Sequence, residues 1–143
     1  MSPLIRILLV VFILAHGYIH VSLAWVPVAQ PGAIRTPFFP SWWRADVDPA
    51  WPASHLGLPA DGVRAAGWIL WLAVAVTVTL SALGMLGLPG LKLVWPVLLA
   101  VSSVLSIALI GLYWHPWLPV GILIDLAFLA GILLKVPPAL FVK

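Results

Sequence analysis

Residues 65–88 read AAGWILWLAVAVTVTLSALGMLGL and residues 93–114 read LVWPVLLAVSSVLSIALIGLYW. Neither stretch holds a charged side chain, and only Lys92 is charged between them. A bilayer crossing takes about 20 apolar residues. Lipid offers no partner to an unpaired backbone N–H or C=O, so each stretch predicts a spanning helix. Pro89-Gly90 supplies the turn between them. Pro96 falls in the first turn of the later helix, where its missing N–H costs little.

Two further apolar stretches cover residues 7–26 and 117–134, and His115-Pro116 breaks the chain before the last one. The final two connections are so short that the helices they join must be antiparallel neighbours. The expected fold is therefore all-α. It is a polytopic membrane protein with four transmembrane helices, about 7–26, 65–88, 93–114 and 117–134, in an antiparallel bundle. Residues 1–143 form one transmembrane domain with a long loop over 27–64.

Composition agrees with this reading. Of 143 residues, 64% are hydrophobic and 8% charged, and the mean hydropathy is +1.17. Soluble domains carry about 25% charged residues, so a water-soluble globule is excluded, and the apolar content excludes a disordered chain. The absence of cysteine removes disulfides, thiolate metal ligands and cysteine nucleophiles. The cations are scattered singly at Arg6, Arg35, Arg44, Arg64, Lys92, Lys135 and Lys143. That dispersal suits topology and lipid headgroups, not nucleic acid.

Arg6 followed by an apolar run imitates a secretory signal. The run is long for a signal core, and the candidate cut at Pro27-Val28-Ala29 lacks a small residue three positions earlier. A spanning helix is the expectation. The 27–64 connection contains seven prolines, which forbid a long helix. Phe38, Phe39, Trp42, Trp43 and Trp51 make it too aromatic for a free linker. It is expected to cap the bundle along the headgroup region, or to serve as a lid or docking surface.

Four helices put both termini on one side. Arg6, Lys92, Lys135 and Lys143 collect there, against Arg35, Arg44 and Arg64 opposite. The positive-inside rule then places the termini in the cytoplasm. Trp25, Trp42, Trp43, Trp51, Trp68, Trp71, Trp114 and Trp117 map to the far side and Trp95 alone to the near one. From that rim, Trp42, Trp43, Trp51, Trp114 and Trp117 are candidates for an interface with other membrane subunits or a second copy.

Ionisable groups within spanning helices are costly and point to function. At about 1.5 Å per residue, His16 and His20 lie roughly 15 and 9 Å below the far end of the first helix. Asp125 lies roughly 12 Å inside the fourth, and His115 sits at the far rim. His16-Gly17-Tyr18-Ile19-His20 places two imidazoles at i, i+4 on one face. With Asp125 they make a two-His, one-carboxylate set able to share a metal ion, while a single histidine suffices for haem or a chlorin. The plainer alternative is a histidine–aspartate hydrogen bond joining two helices; proton or quinone chemistry is a third. Gly17 admits a flat ligand or a neighbouring helix. Ser102 with Ser106, Thr77 with Ser81, and Ala127 with Gly131 are small-xxx-small pairs, expected to serve packing. No catalytic constellation is assigned: nucleotide-binding loops, nucleophile elbows and zincin motifs are absent, and there is no glutamate.

Leu14-Ala15-His16-Gly17-Tyr18-Ile19-His20 resembles the first helix of small, uncharacterised bacterial four-helix integral membrane proteins with a His-Gly-x-x-His core. The resemblance implies that fold and a bacterial cytoplasmic membrane, and no activity. Tyr113-Trp114-His115-Pro116-Trp117-Leu118-Pro119 is similar to the aromatic-proline end of light-harvesting beta polypeptides, as is His20-Val21-Ser22-Leu23-Ala24-Trp25 to the stretch around their pigment ligand. Those are single-span chains, whereas the two pieces here lie on different helices. The first expectation is an accessory or structural subunit of a membrane complex, docking through its tryptophan-rich side. The alternatives are a metal-, haem- or pigment-binding redox protein using His16, His20 and Asp125, with His115 at the rim as a fourth candidate ligand, and proton or small-solute transport by an oligomer.

Overall fold

The computed structural model describes residues 2–21, 52, 55–113, 118–136 and 140. Among them are four α-helices and no strand: α1 Pro3–Ile19, α2 Ala60–Met85, α3 Trp95–Leu112 and α4 Pro119–Leu134. Residues 22–51, most of the expected loop, lie outside this set, as do 114–117 with His115, Trp114 and Trp117.

The helix limits differ from those expected, for local reasons. α1 begins at Pro3, four residues before the apolar run, because the Ser2 hydroxyl accepts the Ile5 N–H at 3.3 Å and Pro3 suits the first turn. It closes at Ile19, and His20 is its C-cap, with an N–H turned to the Tyr18 carbonyl. His20 thus stands at the end of α1. α2 begins at Ala60, directly after Pro59, and takes in Asp61 and Arg64. Asp61 in the first turn complements the positive end of the helix dipole, so the helix outruns its apolar stretch.

α2 stops at a Schellman turn. Gly87, at φ 95°, donates to the Gly84 carbonyl at 3.0 Å, and Leu88 reaches back to Leu83 at 3.0 Å. The left-handed φ is the reason for glycine there. α4 ends the same way, with Val136 N–H on the Gly131 carbonyl at 2.8 Å. Its left-handed position is filled by Lys135 at φ 53°, the one positive-φ residue other than glycine among the described residues.

Consecutive helices pack on one another, α1 on α2, α2 on α3 and α3 on α4. Glycines set the approach. A Cβ on Gly17 would stand 2.8 Å from Val78 Cγ1, and one on Gly67 would overlap the Tyr113 ring. One on Gly84 would stand 2.7 Å from Trp95 Cβ. The choice left open at Gly17 is settled in favour of a neighbouring helix. Tyr113 is fully buried and its hydroxyl donates to the Val63 carbonyl at 3.2 Å. Ser81 Oγ donates to the Trp95 carbonyl at 2.9 Å. α1 and α4 meet through long side chains, Phe12 and Phe128 edge to face at 6.0 Å.

Two apolar clusters form the interior. One joins Val63, Leu109, Ile110 and Tyr113. The other joins Val10, Ile13, Val78, Met85, Trp95 and Leu99. Along α3, Ser106 falls between them, and along α4 Asp125 falls between Ile122 of the first and Phe128 of the second. The outer face inverts the usual order of a soluble protein. Leu133 is 81% exposed and Leu93 72%, while Ser81, Ser102, Ser103, Ser106, His20 and Asp125 are buried. α2 and α3 are each long and apolar enough to cross a membrane; α1 and α4, with 17 and 16 residues, are shorter apolar helices.

Candidate functional site

The polar cluster is assembled by three helices. On α1, Phe12, His16 and His20 recur at four-residue spacing and share one face. On α4, Gly121, Asp125 and Phe128 do the same at spacings of four and three. The faces meet rung by rung. Phe12 packs on Phe128, the His16 ring lies edge-on to Phe128 at 5.6 Å, and His16 Nε2 is 3.1 Å from Asp125 Oδ1. The last rung is His20 over Gly121, where a Cβ would be 3.8 Å from His20 Cε1 and 3.0 Å from Ile110 Cδ1. Glycine leaves the room that brings the His20 ring inward.

α3 contributes the piece that links them. Ser106 Oγ donates to Asp125 Oδ2 at 2.6 Å and stands 2.8 Å from His20 Nε2. Since the serine proton goes to the carboxylate, its lone pair is left to accept from His20 Nε2–H. His16 Nε2–H donates to the other carboxylate oxygen. The result is an unbroken chain, His16–Asp125–Ser106–His20, in which both oxygens of Asp125 are occupied. An unsatisfied carboxylate in an apolar interior would cost several kcal/mol, and this arrangement removes the penalty. The imidazoles themselves touch, with ring centroids 4.8 Å apart and planes at 80°.

Burial is nearly complete: Asp125 and Ser106 are each 1% exposed and His20 4%. His16, with 8% of its side chain exposed, is the most open member. One ligand atom each from His16, His20 and Asp125 lies within 4.8 Å of the others, so the group is able to hold a metal ion.

Three of the four candidate ligands from the sequence are therefore brought together, across 109 residues of chain. The fourth, His115, lies outside the described residues, as do the interface candidates Trp42, Trp43, Trp51, Trp114 and Trp117. Ser106 was expected to serve helix packing, and that expectation is corrected: its hydroxyl is a member of the cluster. A small-xxx-small pair reads the same whether its hydroxyl faces a backbone or a carboxylate. The one available signal was its place at middle depth, level with buried ionisable groups. Thr77 and Thr79 bond the carbonyls of Ala73 and Ala75 on their own helix, and Tyr18 donates to Thr79 at 3.0 Å. Thr79 with Tyr18 belongs to the α1–α2 contact, and neither threonine bonds a member of the histidine cluster.

No protein-family model, curated protein or solved structure matches the chain.

Proposed function

We propose that the chain is a small integral membrane protein that holds a first-row divalent metal ion between His16, His20 and Asp125. The carrying observation is the convergence of one ligand atom from each, all within 4.8 Å, in a buried position. Metal–ligand bonds of about 2.0–2.2 Å put adjacent ligands roughly 3 Å apart. His16 Nε2 and Asp125 Oδ1 already stand at 3.1 Å, and the ion would take the place of the imidazole protons that the metal-free hydrogen bonds use. Two imidazoles and one carboxylate favour iron, copper, nickel or zinc over magnesium or calcium, and leave open positions on the ion. Ser106, bonded to Asp125 Oδ2, orients the carboxylate from outside. A small ion fits among atoms this close, whereas haem or a chlorin needs a planar slot over a free imidazole nitrogen.

The membrane setting is part of the proposal: four antiparallel spans in a bacterial cytoplasmic membrane, with cytoplasmic termini. The exposed leucines and the buried serines support it. The order of contacts supports antiparallel packing. Val63 and Gly67 at the start of α2 meet Tyr113 at the end of α3, while Ser81 and Gly84 meet Trp95. The accessory-subunit alternative rests on tryptophans outside the described residues, whereas the cluster has a geometry.

Elemental analysis of the chain purified in mild detergent tests the metal reading. About one equivalent of a transition metal is expected, lost in His16→Ala, His20→Ala and Asp125→Asn. Protein that stays metal-free after exposure to zinc, iron(II) and copper overturns it.

The continuous hydrogen-bond chain favours one second reading, a proton relay between His16 and His20. Proton flux into liposomes, abolished by Asp125→Asn, is its expected signature; flux equal to that of empty liposomes excludes it.

A further inference from the structure

At the opposite end of α2 from Asp61, three cations from separate parts of the chain line one cavity. Arg6 comes from the second turn of α1, Lys92 from the α2–α3 connection and Lys135 from the end of α4. The cavity measures about 270 Å³ and is floored by Trp95 and Met85. Among the described residues the acids are Asp61 and Asp125. Asp61 lies some 35 Å away along α2 at about 1.5 Å per residue, and Asp125 is engaged with His16 and Ser106. Among those residues, none of the three cations meets a carboxylate. Like charges are thus gathered with no carboxylate partner among the described residues.

The cavity has an apolar neighbour. A second, apolar space of about 100 Å³ shares Met85, Trp95 and Leu140 with it and runs between Leu9 and Ile13 of α1 and Phe128 and Ile132 of α4. α1 and α4 are joined by side chains at Phe12 and His16, and this cleft opens below those contacts. A cationic mouth over an apolar cleft matches an anion that carries a hydrocarbon chain. Lys135 holds its place in a left-handed backbone conformation that glycine adopts at less cost.

We infer that this end of the molecule binds one anionic phospholipid, its phosphate between Arg6, Lys92 and Lys135 and an acyl chain in the cleft between α1 and α4. The inference rests on the membrane placement proposed above and is independent of the metal. Basic pockets between spanning helices on the cytoplasmic side recognise phosphate headgroups in this way. Each cation near such a headgroup contributes roughly a fivefold gain in affinity.

The test is native mass spectrometry of the full chain released from nanodiscs of phosphatidylcholine doped with phosphatidylglycerol. Before it, the chain is partitioned between detergent and aqueous phases; recovery in the aqueous phase overturns the membrane placement and this inference together. For detergent-phase protein, one tightly retained phosphatidylglycerol is expected. Arg6→Gln, Lys92→Gln and Lys135→Gln should each lower its retention about fivefold, and Arg6→Lys should preserve it. Helicity and the thermal unfolding midpoint, measured on each variant, report folding separately. Inorganic phosphate should neither bind alone nor displace the lipid. Displacement by phosphate assigns the pocket to a free anion, and equal retention of phosphatidylcholine removes the charge selection; either overturns the inference, as does unchanged retention in well-folded glutamine variants.

Discussion

His16 Nε2 and Asp125 Oδ1 stand 3.1 Å apart on helices that the chain separates by 109 residues. The pair ties α1 to α4, and through the second carboxylate oxygen Asp125 also reaches Ser106 on α3. One carboxylate therefore holds three helices in register, which makes it the most informative position to alter.

Asp125→Ala leaves the His16 N–H and the Ser106 hydroxyl without an acceptor in the interior. A loss of about 3–5 kcal/mol of stability is expected, as for breaking other buried charged pairs. Asp125→Asn keeps the volume and one acceptor oxygen, and should cost distinctly less. Unfolding in graded denaturing detergent compares the two, and equal losses would contradict this account.

Ser106→Ala removes the hydroxyl that links Asp125 to His20 and leaves all three ligand residues in the chain. Metal affinity should fall about 10- to 100-fold, as for other groups that orient ligands from outside. Bound metal is expected to persist at saturating concentration, whereas His16→Ala should lose it. Titration with zinc separates the two behaviours.

Gly17→Ala places a methyl group 2.8 Å from Val78 Cγ1. Overpacking of this kind costs about 1–3 kcal/mol. Val78→Ala in the same chain should return most of the loss, because the clash is with that side chain alone among the nearest atoms. A double-mutant cycle on thermal unfolding measures the coupling.

Lys135→Gly relieves the left-handed backbone at φ 53°. A stability gain of roughly 1 kcal/mol is expected, together with weaker retention of phosphatidylglycerol. A variant both less stable and less able to bind lipid would show that Lys135 acts through folding.

Much of this was legible from local patterns. The apolar stretches 65–88 and 93–114 mark α2 and α3, since a long uncharged run has one economical form in an apolar setting. The four-residue spacing of His16 and His20 puts both on the α1 face that meets α4. Helix ends were less legible. Ser2 and Pro59 extend α1 and α2 beyond their apolar runs, because a cap satisfies backbone groups whatever the hydropathy of the next residues.

The sequence alone determines the helical class, the lone acid within an apolar run and the paired imidazoles, because composition and periodicity are properties of the linear chain. Only tertiary structure decides that Asp125 meets His16, that Ser106 joins them, and that Arg6, Lys92 and Lys135 share one cavity. These relationships depend on how each helix is rotated about its axis and how far it slides along its neighbour. Close contacts at Gly17, Gly67 and Gly84 set that rotation and height, and no spacing within a single segment encodes them.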